Sequence, residues 1–256
     1  MRGHPPNQRR NLLTTLRRLM KLRTRVVMQL AALCLILGAY SFASDEAYLY
    51  IVHGIPGRDI ADNLNPGLPV DILVNGKACL VHGLTFGNST GPYTLVAGTY
   101  DVQFSLANTL APCTNAVLID TQVALTAGEN ATVVAAINAT QPTALQLVDS
   151  LSPVVPGNAR YVFANSADAP ALQVTLTQLG VKHPQTFTGT AAPGTQTPIP
   201  VTAGTYLVQV TEVGSTTVLT SQEISLPDQS LTFAYACGEA LNNTVGLVNR
   251  TIRDVF

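Results

Sequence analysis

Tryptophan is absent from these 256 residues, aromatic residues make up 6% of them and charged residues only 11%. So little charge beside 46% hydrophobic residues excludes a long disordered chain, which stays unfolded by being highly charged and weakly apolar. Basic residues are missing where a binding surface would need them. Eight of the fourteen Lys and Arg lie in the first 25 positions. That leaves Arg58, Lys77, Arg160, Lys182, Arg250 and Arg253 against all fifteen acids, a balance of −9 (six minus fifteen) for the rest of the chain. With no basic cluster to neutralise phosphates, nucleic acid is excluded as a partner. There is no Cys-x-x-Cys or His-rich spacing to suggest zinc, and no Gly-x-Ser-x-Gly elbow to present a nucleophilic serine. No stretch beyond residue 44 sustains an apolar stripe of helical period.

The basic residues that are present have a place of their own. Arg17, Arg18, Lys21, Arg23 and Arg25 precede the apolar run "VVMQLAALCLILGAYSFA", which closes on small residues. Ser41 and Ala43 occupy the −3 and −1 places of a signal-peptidase site, so residues 1–43 are expected to be a signal peptide cleaved before Ser44. The run from Met20 is complete by itself, which makes Met20 an alternative start. The competing reading is an uncleaved anchor: the run has 18 residues, near the lower limit of a span, with Gln29 inside it. Leu33 is too large for a lipobox ahead of Cys34. The expected location is therefore extracytoplasmic, with membrane contact only through this segment. In an oxidising compartment Cys79 and Cys113 are the natural disulfide pair, and Cys237 is left as a small apolar filler of a core.

The rest of the chain repeats itself. "VAGTYDVQFS" from Val96 returns as "TAGTYLVQVT" from Thr202, an offset of 106. "AYLYIVHG" answers "ARYVFANS" at 112, "VDILV" answers "LQVTL" at 102, "VLIDTQVAL" answers "VLTSQEISL" at 101 and "NATVVAAIN" answers "SLTFAYACG" at 100. Offsets that hold within blocks and change between them describe two copies of one fold with insertions confined to loops. The expected domains are 44–151 and 152–256, joined through the proline-bearing "SLSPVVPGN". The last alignment sets Cys237 opposite Ile137.

Within a copy the blocks alternate with period two: Tyr100, Val102 and Phe104 take one face and Asp101, Gln103 and Ser105 the other. Asn75-Gly76 reads as a two-residue hairpin turn. Seven or so short strands per copy imply an all-β protein of two tandem antiparallel β-sandwiches of immunoglobulin-like type. "RYVFANSADAPALQV" followed by "TAGTYLVQV" resembles the bacterial "domain of unknown function 4397" family. Asn165, Asp168-Ala169-Pro170 and Ala203–Tyr206 carry the resemblance in the second copy; His53, Val70-Asp71-Ile72, Asn75-Gly76 and Ala97–Tyr100 carry it in the first. It implies a secreted or surface β-sandwich, commonly in tandem, and brings no catalytic residues and no cofactor.

The first copy has ten extra residues between its first two strands and five more around "ANTLAPCTN". If strands alternate up and down, both loops leave the same end, where such scaffolds bind partners. Arg58, Asp59, Asp62, Asn63, Asn65, Asn108 and Thr109 are thus candidate recognition residues, with neutral loop drift as the alternative. Simple alternation, however, puts Cys79 at the opposite end from Cys113. The oxygen-rich "GRDIADNLNPG" could also hold calcium with His53, though without EF-hand spacing. His53 and His82 could pair with Asp71, Asp101 and Asp120 read as solvent-facing strand residues, and Asn88, Asn130, Asn138, Asn242 and Asn249 head sequons. The leading expectation is a non-enzymatic module that binds an envelope protein or carbohydrate; a metal-dependent protein or enzyme built on the Asp59–Asn65 loop is the alternative.

Overall fold

A computed structural model describes residues 45–139 and 141–253; the expected signal peptide lies outside the described residues. Strands β1 (Glu46–His53), β2 (Val70–Val74), β3 (Ala78–Leu84), β4 (Ser89–Val96), β5 (Gly98–Leu106), β6 (Val117–Leu125), β7 (Asn130–Asn138) and β8 (Gln141–Val148) come first. They form two sheets, ordered β4-β1-β7-β8 and β3-β2-β5-β6. Strands β9 (Asn158–Asn165), β10 (Leu172–Gln178), β11 (Thr186–Ala191), β12 (Gln196–Thr202), β13 (Gly204–Glu212), β14 (Val218–Leu226), β15 (Leu231–Cys237) and β16 (Gly246–Ile252) repeat the topology as β12-β9-β15-β16 and β11-β10-β13-β14. The fold is all-β and made of two β-sandwiches. One pairing in each is parallel, β1 with β7 and β9 with β15; the remaining pairings are antiparallel. Among the described residues the only helical element is the 3-10 turn Gly57–Asp59.

Each sandwich is filled by alternate residues of its strands. In the first, Leu49, Ile51, Ile72, Val102, Phe104 and Ile137 are among the buried set; in the second, Tyr161, Phe163, Leu172, Val174, Val208 and Val210. The repeated Ala-Gly-Thr-Tyr has a physical reason. Tyr100 donates its hydroxyl to the carbonyl of Val96 at 2.6 Å, and Tyr206 donates to Thr202 at 2.7 Å. Each ties the turn to the strand before it, in the manner of a tyrosine corner. The Asn75-Gly76 hairpin forms as expected, with positive φ at both residues.

A third buried cluster lies between the sandwiches. Val52, Val134 and Leu147 of the first meet Val162, Ala164, Leu231, Phe233, Tyr235 and Cys237 of the second. Contacts across it come in related pairs: Tyr50 meets Arg250, and their counterparts Val162 and Leu147 share the cluster. Within it Arg250 lies 3.6 Å from the centroid of the Tyr50 ring and 4.5 Å from that of Phe233, and donates to Asp149 at 2.5 Å. Thr132 donates to the same carboxylate oxygen at 2.6 Å and accepts from the Tyr235 hydroxyl at 3.0 Å. Burial pushes the Asp149 carboxyl up to about 6 against the pull of the Arg250 charge.

This interface corrects one alignment. Asn130 stands beside Tyr48 and Leu231 beside Arg160, the counterpart of Tyr48, so β7 and β15 correspond at an offset of 101. A slip of one residue exchanges the two faces of a strand. Cys237 is therefore the counterpart of Ala136, not Ile137, and it fills the cluster between the sandwiches. It is fully buried, and desolvation pushes its thiol up to about 12.

Candidate functional site

The first turns after β1 and β9 are built by equivalent side chains. His53 accepts from Ile55 N at 3.4 Å through Nδ1, and its Nε2 donates to Leu68 O at 2.7 Å. Asn165 accepts from Ala167 N at 3.3 Å and donates to Pro170 O at 2.9 Å. Each is fully buried and satisfies the same two groups of the loop that follows. Desolvation lowers the His53 pKa despite the Leu68 carbonyl, keeping the ring neutral. His53 is a structural plug and does not pair with Asp71.

Asp71 has a different task. Its Oδ1 accepts from Gly83 N, and its Oδ2 from Asn108 N and Cys113 N, at 2.9–3.0 Å. Burial alone would raise its pKa; the three amides, with His82 nearby, outweigh that and hold the carboxyl below its ordinary value. Val70 and Ile72 face the core, so Asp71 faces outward and the loop 107–116 folds down over it. That path brings Cys113 to Cys79, which lies opposite Leu73, and the two form the disulfide. The conflict over their positions thus resolves in favour of a loop draped along the sheet. His82 Nδ1 lies 3.2 Å from the Cys79 sulfur. Cys79, His82 and Cys113 are the only described His, Cys or acidic group whose ligand atoms all fall within 4.8 Å, but both sulfurs are committed to the bridge.

The long β1–β2 loop reaches the second sandwich. Gly54 packs so closely on Cys237 that a Cβ there would stand 2.6 Å from its sulfur. The turn Gly57–Asp59 then presents Asp59, whose Oδ2 accepts from the Thr244 hydroxyl at 2.7 Å and whose Oδ1 lies 3.5 Å from Asn242 Nδ2. Asn242 also donates to Glu239 Oε2 at 2.6 Å. Gly238 holds φ of +94° to fold this turn back, where a Cβ would strike Thr244 O at 2.5 Å. Asp168 bridges to Glu239 through backbone hydrogen bonds, Asp168 N to Gly238 O and Ala240 N to Asp168 O. Burial first, and then the charges of Asp59 and Asp168, raise the Glu239 pKa. Glu239 is 5% exposed, and its Oε1 is buried with no hydrogen-bond partner.

On the related side of the interface the same packing stays open. Ser166 and Ala136, the counterparts of Gly54 and Cys237, line a cleft of about 320 Å³ with Asn138, Leu145, Asp168 and Gly194. The longer connection between β1 and β2 closes one side; the shorter one between β9 and β10 leaves the other open. Ser166 follows Val162 and Ala164 on the interface face, and its hydroxyl is buried without a partner.

The candidate residues therefore divide. Asp59 joins the second sandwich, whereas Arg58, Asp62, Asn63 and Thr109 are exposed on loops. Asn65 is spent on Gly67 N, and Asn108 accepts from Leu110 N and Ala111 N to brace its own loop. Both ring nitrogens of His53 are engaged by the loop backbone, and Asp59 is turned to Asn242 and Thr244. The sequence marks Asp168 as part of a turn and Asn242 as a sequon, and gives no sign that they meet Glu239 and Thr244, because that meeting depends on how the copies dock. The continuous apolar run "LTFAYAC" carried the available signal: a strand buried on both faces has no period.

Residues 47–175 match the family described as domain of unknown function (DUF4397), a span running from β1 into β10. No curated protein matches the chain. Among solved structures it is similar to the Bacillus anthracis TIE protein, at 13% identity and a TM-score of 0.24, covering 74% of this chain and 33% of that one. It is also similar to a candidate cell adhesion protein of Bacteroides ovatus, at 11% identity and a TM-score of 0.26, covering 81% and 96%. A further candidate cell adhesion protein, from Bacteroides uniformis, is 11% identical with a TM-score of 0.24, covering 82% and 99%.

Proposed function

The chain belongs to the DUF4397 family of domains of unknown function, and from that premise we propose that it is an exported, non-enzymatic recognition module. In this reading two copies of the family fold, bounded near residues 44–151 and 152–256, bind an envelope protein or carbohydrate through the loop end where they meet. The observation that carries the reading is the joining of that end across the copies: Asp59 of one holds Thr244 of the other, and Gly54 packs on Cys237. Loops from both copies thereby become one surface, in the place where sandwich scaffolds commonly recognise partners. Leu110 and Leu241, 95% and 93% exposed, stand on loops that leave this end. A non-enzymatic role is supported by the fixed structural duties of His53 and Asp71. Export is supported by the signal-peptide pattern of residues 1–43 and by the Cys79–Cys113 bridge, which suits an oxidising compartment.

Sedimentation of the purified protein with the envelope fraction of its producing cells tests this. An L110S/L241S variant should lose binding about tenfold. A V96S/V155S variant, altered at the opposite end where these valines are 63% and 66% exposed, should bind as the wild type does. Equal binding by both variants would overturn the reading.

A further inference from the structure

Glu239 presents a problem that the protein alone does not solve. Its carboxyl is shut away from water, one oxygen has no donor, and two further carboxyls, Asp59 and Asp168, lie close enough to act on its charge. A buried carboxylate oxygen without a partner is costly, and like charges beside it add to the cost. The amide of Asn242 holds Glu239 Oε2 and reaches Asp59 Oδ1, so the two carboxyls face each other across one side chain. The Thr244 hydroxyl and the backbone carbonyl of Glu239 add neutral oxygens at the corner. Three carboxylates with neutral oxygens beside them suit a hard divalent cation, and irregular loop geometry suits calcium better than magnesium.

We propose that Asp59, Asp168 and Glu239 bind a calcium ion that fastens the long loop of the first sandwich to the second. The three carboxyls do not yet fall within one coordination sphere. Asp59 and Asp168 are half-exposed on loops and would be drawn by the ion toward Glu239, which Asn242 fixes. Asp59 can give one oxygen to the ion and keep the other on Thr244. The site differs from one built within Asp59–Asn65, because two of its three carboxylates come from the other copy. It goes beyond the recognition reading and stands without it, since the ion needs no envelope partner.

The test uses the full-length protein, stripped of metal with a chelator that is then removed. Calorimetric titration with calcium chloride should show one saturable site per chain, in the range of about 10⁻⁴–10⁻³ M typical of extracellular modules. Calcium at about 5 mM should raise Tm by several degrees. E239Q and D168N should weaken binding at least tenfold and lose the Tm response. D120N, altered at an exposed acid on β6, should keep both. In the absence of calcium, E239Q should melt no lower than the wild type, because the repulsion has gone; its loss of binding then cannot be misfolding. No saturable heat in the wild type, an equal Tm response to magnesium, or an E239Q variant that responds like the wild type would each sink the proposal.

Discussion

A histidine in one copy and an asparagine in the other do the same work at the end of equivalent strands, which separates shape from charge at this position. His53 and Asn165 each accept one loop N–H and donate to one loop carbonyl. H53N should therefore hold stability within about 1 kcal/mol, whereas H53A, which leaves the Leu68 carbonyl and Ile55 amide buried and unpaired, should cost about 1–3 kcal/mol in urea unfolding. The pH response separates them further. Folding lowers the His53 pKa from 6.5, so below that value the unfolded chain takes up a proton that the folded one refuses. Stability should fall as pH drops below 6.5, and H53N should lack that component of the fall. The tyrosine of the repeated turn allows a second test at the same scale. Y206F should cost about 1 kcal/mol, and Y100F no more, because Tyr206 is fully buried where Tyr100 is half-exposed, and its hydroxyl also meets Thr202 Oγ1 at 2.9 Å.

At the scale of elements, the loop 107–116 is held on its sheet by two independent devices, the Asp71 carboxylate and the Cys79–Cys113 bridge. Removing the bridge with C79S/C113S should cost about 3–4 kcal/mol for a closed loop of this length. D71N, whose amide can accept only through one oxygen, should cost about 1–3 kcal/mol. Because both act on one loop, the combined variant should lose less than the sum, a coupling that a urea-unfolding cycle measures directly. The Cys pairing and the shared end of the two first-copy loops could be read from the sequence. So could β5, where alternation survives because one face is packed and the other solvated. The seven residues of β15 are all buried, so its pattern does not say which face belongs to which core, and a one-residue slip against β7 leaves no trace in the sequence. The acidic corner stayed hidden for a related reason. Asp59 and Glu239 are 180 positions apart, and only the docking of sheet on sheet brings them together.

For the whole molecule, the cluster between the sandwiches decides whether the copies unfold separately or as one. It buries Val52, Val134, Phe233, Tyr235 and Cys237, and at its margin it encloses the Arg250–Asp149 pair with the side-chain carboxylate fully buried. Sheets that share so much apolar surface should melt together, in a single transition by both calorimetry and circular dichroism. Breaking the pair with R250M strands a buried carboxylate and removes the cation from the faces of Tyr50 and Phe233, which should cost about 3–5 kcal/mol and separate the transitions. Replacing both partners, as D149L/R250M, should recover most of that loss and restore one transition. The pH dependence identifies the charge responsible. Unfolded, Asp149 titrates near 3.8; folded, burial moves it to about 6. Between those values the folded state holds a proton that the unfolded state has released. This group's contribution is therefore fully present below 3.8 and is lost as pH rises through about 6, a difference of about 3 kcal/mol at most. The double variant lacks the group, so its stability relative to wild type should improve by up to that amount between about pH 4 and about pH 7.5. A constant difference across that range would mean that Asp149 titrates alike in both states, and that the pair is a surface-like contact rather than part of the core that joins the copies.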